Sequence, residues 1–328
     1  MPSPTRSHAP IPRRAPLLVA VACIMSALAA TPALATFPGD NGRIAFLSDR
    51  DGDEDIWTVG PDGSEPVNLT ADSPRVDAVP NYSADGQRIA FMSNRITAQN
   101  PSGDFELFVM GADGSDLKQV TANRLDDEEP TWSPDGRWLA FSRDFYPVQG
   151  KTDMDVFKVR LDGKGERNLT RSRGVDDLQP EWSPSGRRIA FASERAGRKN
   201  LDIYTMRPDG TRWRRLTHSP KGGHEHPSYS PDGRQIAFNT NRDKKFEIYK
   251  MRWDGRREIR LTVTTGNYGN ALPDWSPDGT RIVFNSTRNG DVPDVFTMLP
   301  DGTDVVNLTN DPAFDYTPDW QAVDATAG

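Results

Sequence analysis

The chain has 328 residues, with 40 Lys+Arg against 47 Asp+Glu, one cysteine, and 27 each of Gly and Pro. A net negative chain lacks the basic footprint that nucleic acid and anionic membrane surfaces select. A single cysteine excludes a disulfide framework, and abundant Gly and Pro between short apolar runs point to many short strands and turns.

Residues 1–35 read as a secretory signal peptide. Arg6, Arg13 and Arg14 give a positive start without an acidic residue, Leu17 to Ala30 is apolar but short for a bilayer, and Ala33-Leu34-Ala35 is an A-x-A cleavage site. Arg13-Arg14 raises a twin-arginine route, though nothing else of that motif follows. Cleavage after Ala35 leaves Thr36–Gly328, with 37 Lys+Arg, 47 Asp+Glu and no cysteine, a net charge of −10. No later segment is apolar enough to cross a membrane. The expectation is an exported monomer, periplasmic or extracellular, with no membrane insertion and no nucleic-acid partner.

An apolar triplet ending in Phe then recurs: Ile44-Ala45-Phe46, Ile89-Ala90-Phe91, Leu139-Ala140-Phe141, Ile189-Ala190-Phe191, Ile236-Ala237-Phe238 and Ile282-Val283-Phe284. The Phe-to-Phe steps are 45, 50, 50, 47 and 46 residues, a propeller-like period. Pro-x-aromatic-Ser precedes the triplet, as in Pro130-Thr131-Trp132-Ser133, and a Pro-Asp-Gly turn joins the two. After the triplet come an acidic residue, an apolar one and an aromatic, as in Asp202-Ile203-Tyr204; then Asp-Gly, a hairpin signal; then Leu-Thr, as at Leu69-Thr70. These are four strands, A to D, repeated six times. The predicted fold is all-β, one six-bladed β-propeller over residues 36–328, with repeats at 42–86, 87–136, 137–186, 187–233, 234–279 and 280–321. The chain opens on strands B, C and D and closes on a lone strand A, Tyr316 to Gln321. That strand is predicted to close the ring beside Ile44-Ala45-Phe46.

The run P-x-W-S-P-D-G-x-x-I-A-F-x-S-x-R, followed by D-I-Y-x-M-x-x-D-G and L-T, resembles the WD-like repeat of TolB-type propellers over residues 42–321. The resemblance implies a protein-binding scaffold in the cell envelope. TolB carries an extra N-terminal α/β domain; here the signal peptide runs almost straight into the first repeat, so that domain is expected to be absent and a Tol-specific role is in question.

Strand A of a propeller lines the central channel. Three residues before its Pro stand Asp77, Asp127, Asp177, His224, Asn270 and Asp315. These, with Glu129 and His226, are the candidate binding residues at the channel mouth. The same ring can instead pair with arginines that close strand B. Those arginines (Arg50, Arg95, Arg143, Arg195, Arg242 and Arg288) are also expected to reach the acidic residues opening strand C. The longest B→C loops, Ile96–Asp104 and Asp144–Asp153, fall on this side, where loops carry function. Asn68-Leu69-Thr70, Asn168-Leu169-Thr170 and Asn307-Leu308-Thr309 are formal glycosylation sequons that read as strand D chemistry. Asp49 to Asp55 looks calcium-like but has its Gly too early, so a hairpin is expected there.

His224 and His226 fall on one side of a regular strand, where two imidazoles can share a metal. Certain polysaccharide lyases with related repeats hold a metal through propeller histidines. No cofactor is expected, a divalent cation being the exception to test. G-x-S-x-G is absent, and Gly150-Lys151-Thr152 lacks the upstream Gly of a phosphate loop. The expected function is a non-catalytic scaffold that binds a protein or peptide at the loop-rich mouth. The alternative is a metal-dependent lyase or hydrolase acting on an acidic sugar or lactone.

Overall fold

The structure is a computed structural model that describes residues 40–145, 153–197, 200–218, 221–266 and 268–323. The predicted signal peptide and most of the Asp144–Asp153 loop lie outside the described residues. Every regular element described is a strand, and the 24 strands form six four-stranded antiparallel sheets. Each blade takes its A strand from the end of the preceding sequence repeat. Blade 2, for example, comprises Asp77–Tyr82, Arg88–Ser93, Glu106–Gly111 and Lys118–Gln119.

Blade 1 is assembled from both ends of the described chain. Its A strand is Asp315–Val323 and its B strand is Asp40–Ser48, with Trp320 opposite Ile44 and Tyr316 opposite Leu47. Sheet faces bury their apolar side chains against the next blade. Ile44, Phe46, Val59 and Trp320 of blade 1 pack on Val283, Val295 and Leu308 of blade 6, while Ala45 and Ile56 pack on Tyr82, Phe91 and Phe108 of blade 2. The ring is therefore closed by the same contact that joins its other blades.

The turns carry out the chemistry their residues encode. In the A–B turn, Ser133 Oγ donates to Asp135 Oδ1 at 2.5 Å, and Gly136 supplies the left-handed backbone at φ 63°. In the C–D turn, Gly63 lies at φ 84°, and a Cβ there would sit 2.3 Å from the Leu308 carbonyl of blade 6. Only glycine permits that inter-blade approach.

The acidic residues opening strand C do not pair with the strand B arginines. They turn to strand D. Asp55 accepts from Thr70 Oγ1 at 2.8 Å and Asn68 Nδ2 at 2.7 Å, and Asp155 is held likewise by Thr170 and Asn168. In blades 4 and 5 an arginine replaces the asparagine: Arg215 donates to Asp202 and Arg260 to Glu247, both at 2.7 Å. The sequon asparagines 68, 168 and 307 are thus consumed inside their own blades. The arginines turn the other way because the serine ending strand B stands between the two carboxylates. Ser48 faces Asp55 on one side and Asp315 on the other; Arg50 Nε donates to Ser48 Oγ, which aims its Nη2 at Asp315.

Candidate functional site

The strand A position three residues before Pro is buried in every blade. Arg50 meets Asp315 at 2.9 Å, Arg95 meets Asp77 at 2.6 Å, Arg143 meets Asp127 at 2.5 Å and Arg195 meets Asp177 at 2.6 Å. Arg288 Nη2 donates to Asn270 Oδ1 at 2.7 Å. Blade 5 has His224 instead; its Arg242 turns away to Glu258 at 2.6 Å and covers the Tyr249 ring. Buried, hydrogen-bonded ion pairs of this kind brace the inner strands.

The inner strand is kinked two residues further on. The residue before each strand A proline is left-handed: Val79 (φ 61°), Glu129 (59°), Gln179 (59°), His226 (61°), Leu272 (61°) and Thr317 (54°). Pro disfavours the right-handed helical region for its predecessor, and a left-handed non-glycine residue costs roughly 1–2 kcal/mol. Side chains of the preceding blade hold the kink. His226 N donates to Gln179 Oε1 at 3.0 Å, Gln179 N to Glu129 Oε2 at 2.6 Å, and Thr317 N to Asn285 Oδ1 at 2.9 Å. The kink breaks the A–B register in all six blades, as between Glu225 and Ser228 in blade 5 and between Tyr316 and Asp319 in blade 1.

The same backbone carries different chemistry around the ring. Blades 6, 1 and 2 present Leu272, Thr317 and Val79; blades 3, 4 and 5 present Glu129, Gln179 and His226. Gln179 Nε2 lies 2.9 Å from His226 Nε2, and His226 Nδ1 lies 3.7 Å from Glu225. The residue before each kink extends the arc, with Glu128 in blade 3, Glu225 in blade 5 and Tyr316 in blade 1. Burial, reinforced by Glu129 and Asp126, pushes the Glu128 carboxyl well above its usual range. Burial alone pushes Glu225 up to about 7. Tyr316 is raised by burial and then by the nearby Glu225.

Glu128, Glu225 and Tyr316 escape sequence reasoning because a regular strand points them away from Glu129 and His226. Their signal is the column two residues before Pro, which reads Ala78, Glu128, Leu178, Glu225, Ala271, Tyr316. The kink also separates the two histidines. His224 stands 3.6 Å from Asp202 and packs on Phe238, whereas His226 meets Gln179. Among the described residues, the group of three or more metal-binding side chains in mutual reach is Asp51, Asp53 and Asp55 at the first B–C hairpin.

Glu225 sets a testable pH dependence. Its folded pKa of about 7 exceeds the ordinary 4.5, so between those values the folded chain holds a proton that the unfolded chain has released. Stability falls as pH rises through that window. Asp77, pushed up to about 6 by burial, acts with the same sign. Glu225→Gln is expected to match the wild type at pH 4.5 and exceed it by on the order of 2 kcal/mol at pH 8. Melting temperatures across pH 4–8 measure this; parallel curves contradict the assignment.

Six four-stranded blades, a Pro-kinked inner strand and Asp-Gly turns packed on the next blade define a six-bladed β-propeller, similar to that of TolB. A family model described as the TolB beta propeller domain matches residues 211–326. The chain is 42% identical over 65 residues to the Tol-Pal system protein TolB of Rhizorhabdus wittichii, covering 20% of this chain and 14% of that protein. It is 32% identical over 102 residues to the uncharacterized protein YidR of Escherichia coli, covering 30% and 22%. The matched segments thus span less than a quarter of those relatives. Among solved structures, TolB from Acinetobacter baumannii superposes with a TM-score of 0.69 at 21% identity, over 85% of this chain and 66% of that one. An Agrobacterium tumefaciens protein described as a TolB gives 0.63 at 26%, over 87% and 92%. Among the described residues, no helix is long and apolar enough to cross a membrane.

Proposed function

We propose that the protein is an exported, TolB-like envelope scaffold that binds a protein or peptide at the loop-rich mouth of its channel. One observation carries this reading: six equivalent kinks share a backbone, yet only blades 3 to 5 fill them with Glu129, Gln179 and His226. Glu225, half-buried with its pKa pushed up to about 7, can both donate to and accept from a partner near neutral pH.

The test uses full-length protein as bait in envelope extract of its host. Wild type is expected to retain a partner that the mouth variant Glu225→Arg loses and the opposite-face variant Asp113→Asn keeps. Loss with Asp113→Asn alone, or recovery of no partner, overturns the reading. Metal content separates the enzymatic alternative: stoichiometric metal that disappears with His224→Ala would favour the lyase or hydrolase.

A further inference from the structure

The net charge conceals a segregation. Blades 4 and 5, Asp177 to Arg260, hold 19 Lys+Arg against 11 Asp+Glu; the rest of the chain holds 21 against 36. With Arg6, Arg13 and Arg14 of the predicted signal peptide set aside, this part of the disc is at +8 and the remainder, 18 against 36, is at −18.

The positive edge is concentrated where the A–B and C–D turns emerge. In blade 5, Arg234, Lys250, Arg252 and Arg257 line a groove with Trp253 and Ile259. Trp253 is 42% and Ile259 52% exposed, beside the exposed Arg256. Blade 4 adds exposed Arg207 and Arg212, and its Arg214 reaches the blade 5 turn, donating to the Asp254 carbonyl at 2.8 Å. The carboxylates within reach are Asp254, 3.5 Å from Arg252 and 4.0 Å from Arg256, Asp232, 3.8 Å from Arg234, Asp209 beside Arg207, and Asp301 of blade 6 beside Lys250. At the opposite end of blade 5, Lys244 is exposed as well. Every blade carries an aspartate at its C–D turn, and hydrogen bonds from neighbouring Ser or Thr keep Asp62, Asp113, Asp209 and Asp301 below the usual carboxylate range; what sets blades 4 and 5 apart is the number of cations around theirs.

We infer that the blade 4–5 edge docks on an anionic phospholipid surface, with Trp253 and Ile259 entering the headgroup layer and the arginines pairing with lipid phosphates. Cations around an exposed tryptophan and an aliphatic side chain are the composition of an interfacial contact. Nucleic acid uses the cations but gives Ile259 no role. The charge separation orients the disc edge-on, with acidic blades 1, 2 and 6 turned from the lipid and the channel mouth open to the side. No segment inserts across the bilayer.

Full-length protein co-sedimented with vesicles tests this. Vesicles of phosphatidylcholine with about 30% phosphatidylglycerol are expected to bind at 50 mM salt, and phosphatidylcholine alone is not. Binding should fall at least about tenfold at 0.5 M salt as the charges are screened. The triple reversal R252E/R256E/R257E should lose at least about tenfold in partitioning while keeping the wild-type melting temperature. Trp253→Phe should abolish a vesicle-dependent blue shift of tryptophan fluorescence. Equal binding to neutral vesicles, unchanged partitioning of the triple variant, or no binding overturns the inference. So does tighter binding of duplex DNA at equal salt, or salt-sensitive self-association without lipid binding.

Discussion

Deletion of residues 314–328 is expected to leave a chain that no longer melts cooperatively. The deleted strand is the innermost of blade 1 and pairs along Asp40–Ser48. It buries Trp320 to 1% exposure against both blade 1 and blade 6. It also ties blade 1 to blade 2, since Asp319 accepts from Asn81 Nδ2 and the Tyr82 amide, both at 2.7 Å. Truncating one buried tryptophan costs about 3–5 kcal/mol, against a total stability of roughly 5–15 kcal/mol. The deletion removes that side chain, the ion pair of Asp315 and a whole strand ladder, and leaves Ile44 to Leu47 as a bare apolar edge. Circular dichroism during heating is the measurement. A truncated chain melting at the full-length temperature would refute closure by this strand.

Arg143→Ala is expected to be the most damaging single substitution in the ring of ion pairs. Arg143 is 6% exposed and grips two carboxylates, Asp127 at 2.5 and 2.9 Å and Glu166 at 2.7 and 2.9 Å. Its counterpart Arg195 has a side chain 27% exposed and one carboxylate partner, Asp177. Removing one partner of a buried pair costs about 3–5 kcal/mol, because the other charge stays buried. At about 2–4 °C per kcal/mol, the melting temperature should drop by roughly 8–15 °C. Glu106, already pushed up to about 8 by burial and by Asp127, lies beside the orphaned carboxylate. Both groups favour the protonated form once Arg143 is gone, so the deficit should shrink as pH falls from 8 to 5. A drop under 2 °C, or a deficit that grows in acid, contradicts this account.

The parts of the fold legible beforehand are those whose causes are local. Asp-Gly and Pro-Asp-Gly specify turns through their own φ preferences, and the apolar triplets at near-constant spacing specify strand B. The unmatched Tyr316 to Gln321 identified the closing strand because a blade lacking strand A leaves an apolar edge that something must cover. Arg50 had two candidate partners in the sequence, and the choice between them was not legible. Asp55 and Asp315 are both in register with Ser48, and the choice between them rests on Asn68 and Thr70 having already occupied Asp55.

By itself, the amino-acid sequence determined the number of blades, the order of strands and the turns, which follow from residues adjacent in the chain, and the closing strand, which follows from the count of strands in the repeat. Tertiary structure alone decided the backbone conformation of the inner strand before each proline. The left-handed kink before each proline is held by side chains of the preceding blade, so no single repeat contains the reason for it. Packing likewise decided that Asp77, Asp127, Asp177 and Asp315 brace the blades, that His224 and His226 part, and that arginines scattered over 84 residues gather on one edge. Each outcome depends on which blade lies next to which, and that adjacency exists only once the ring has closed.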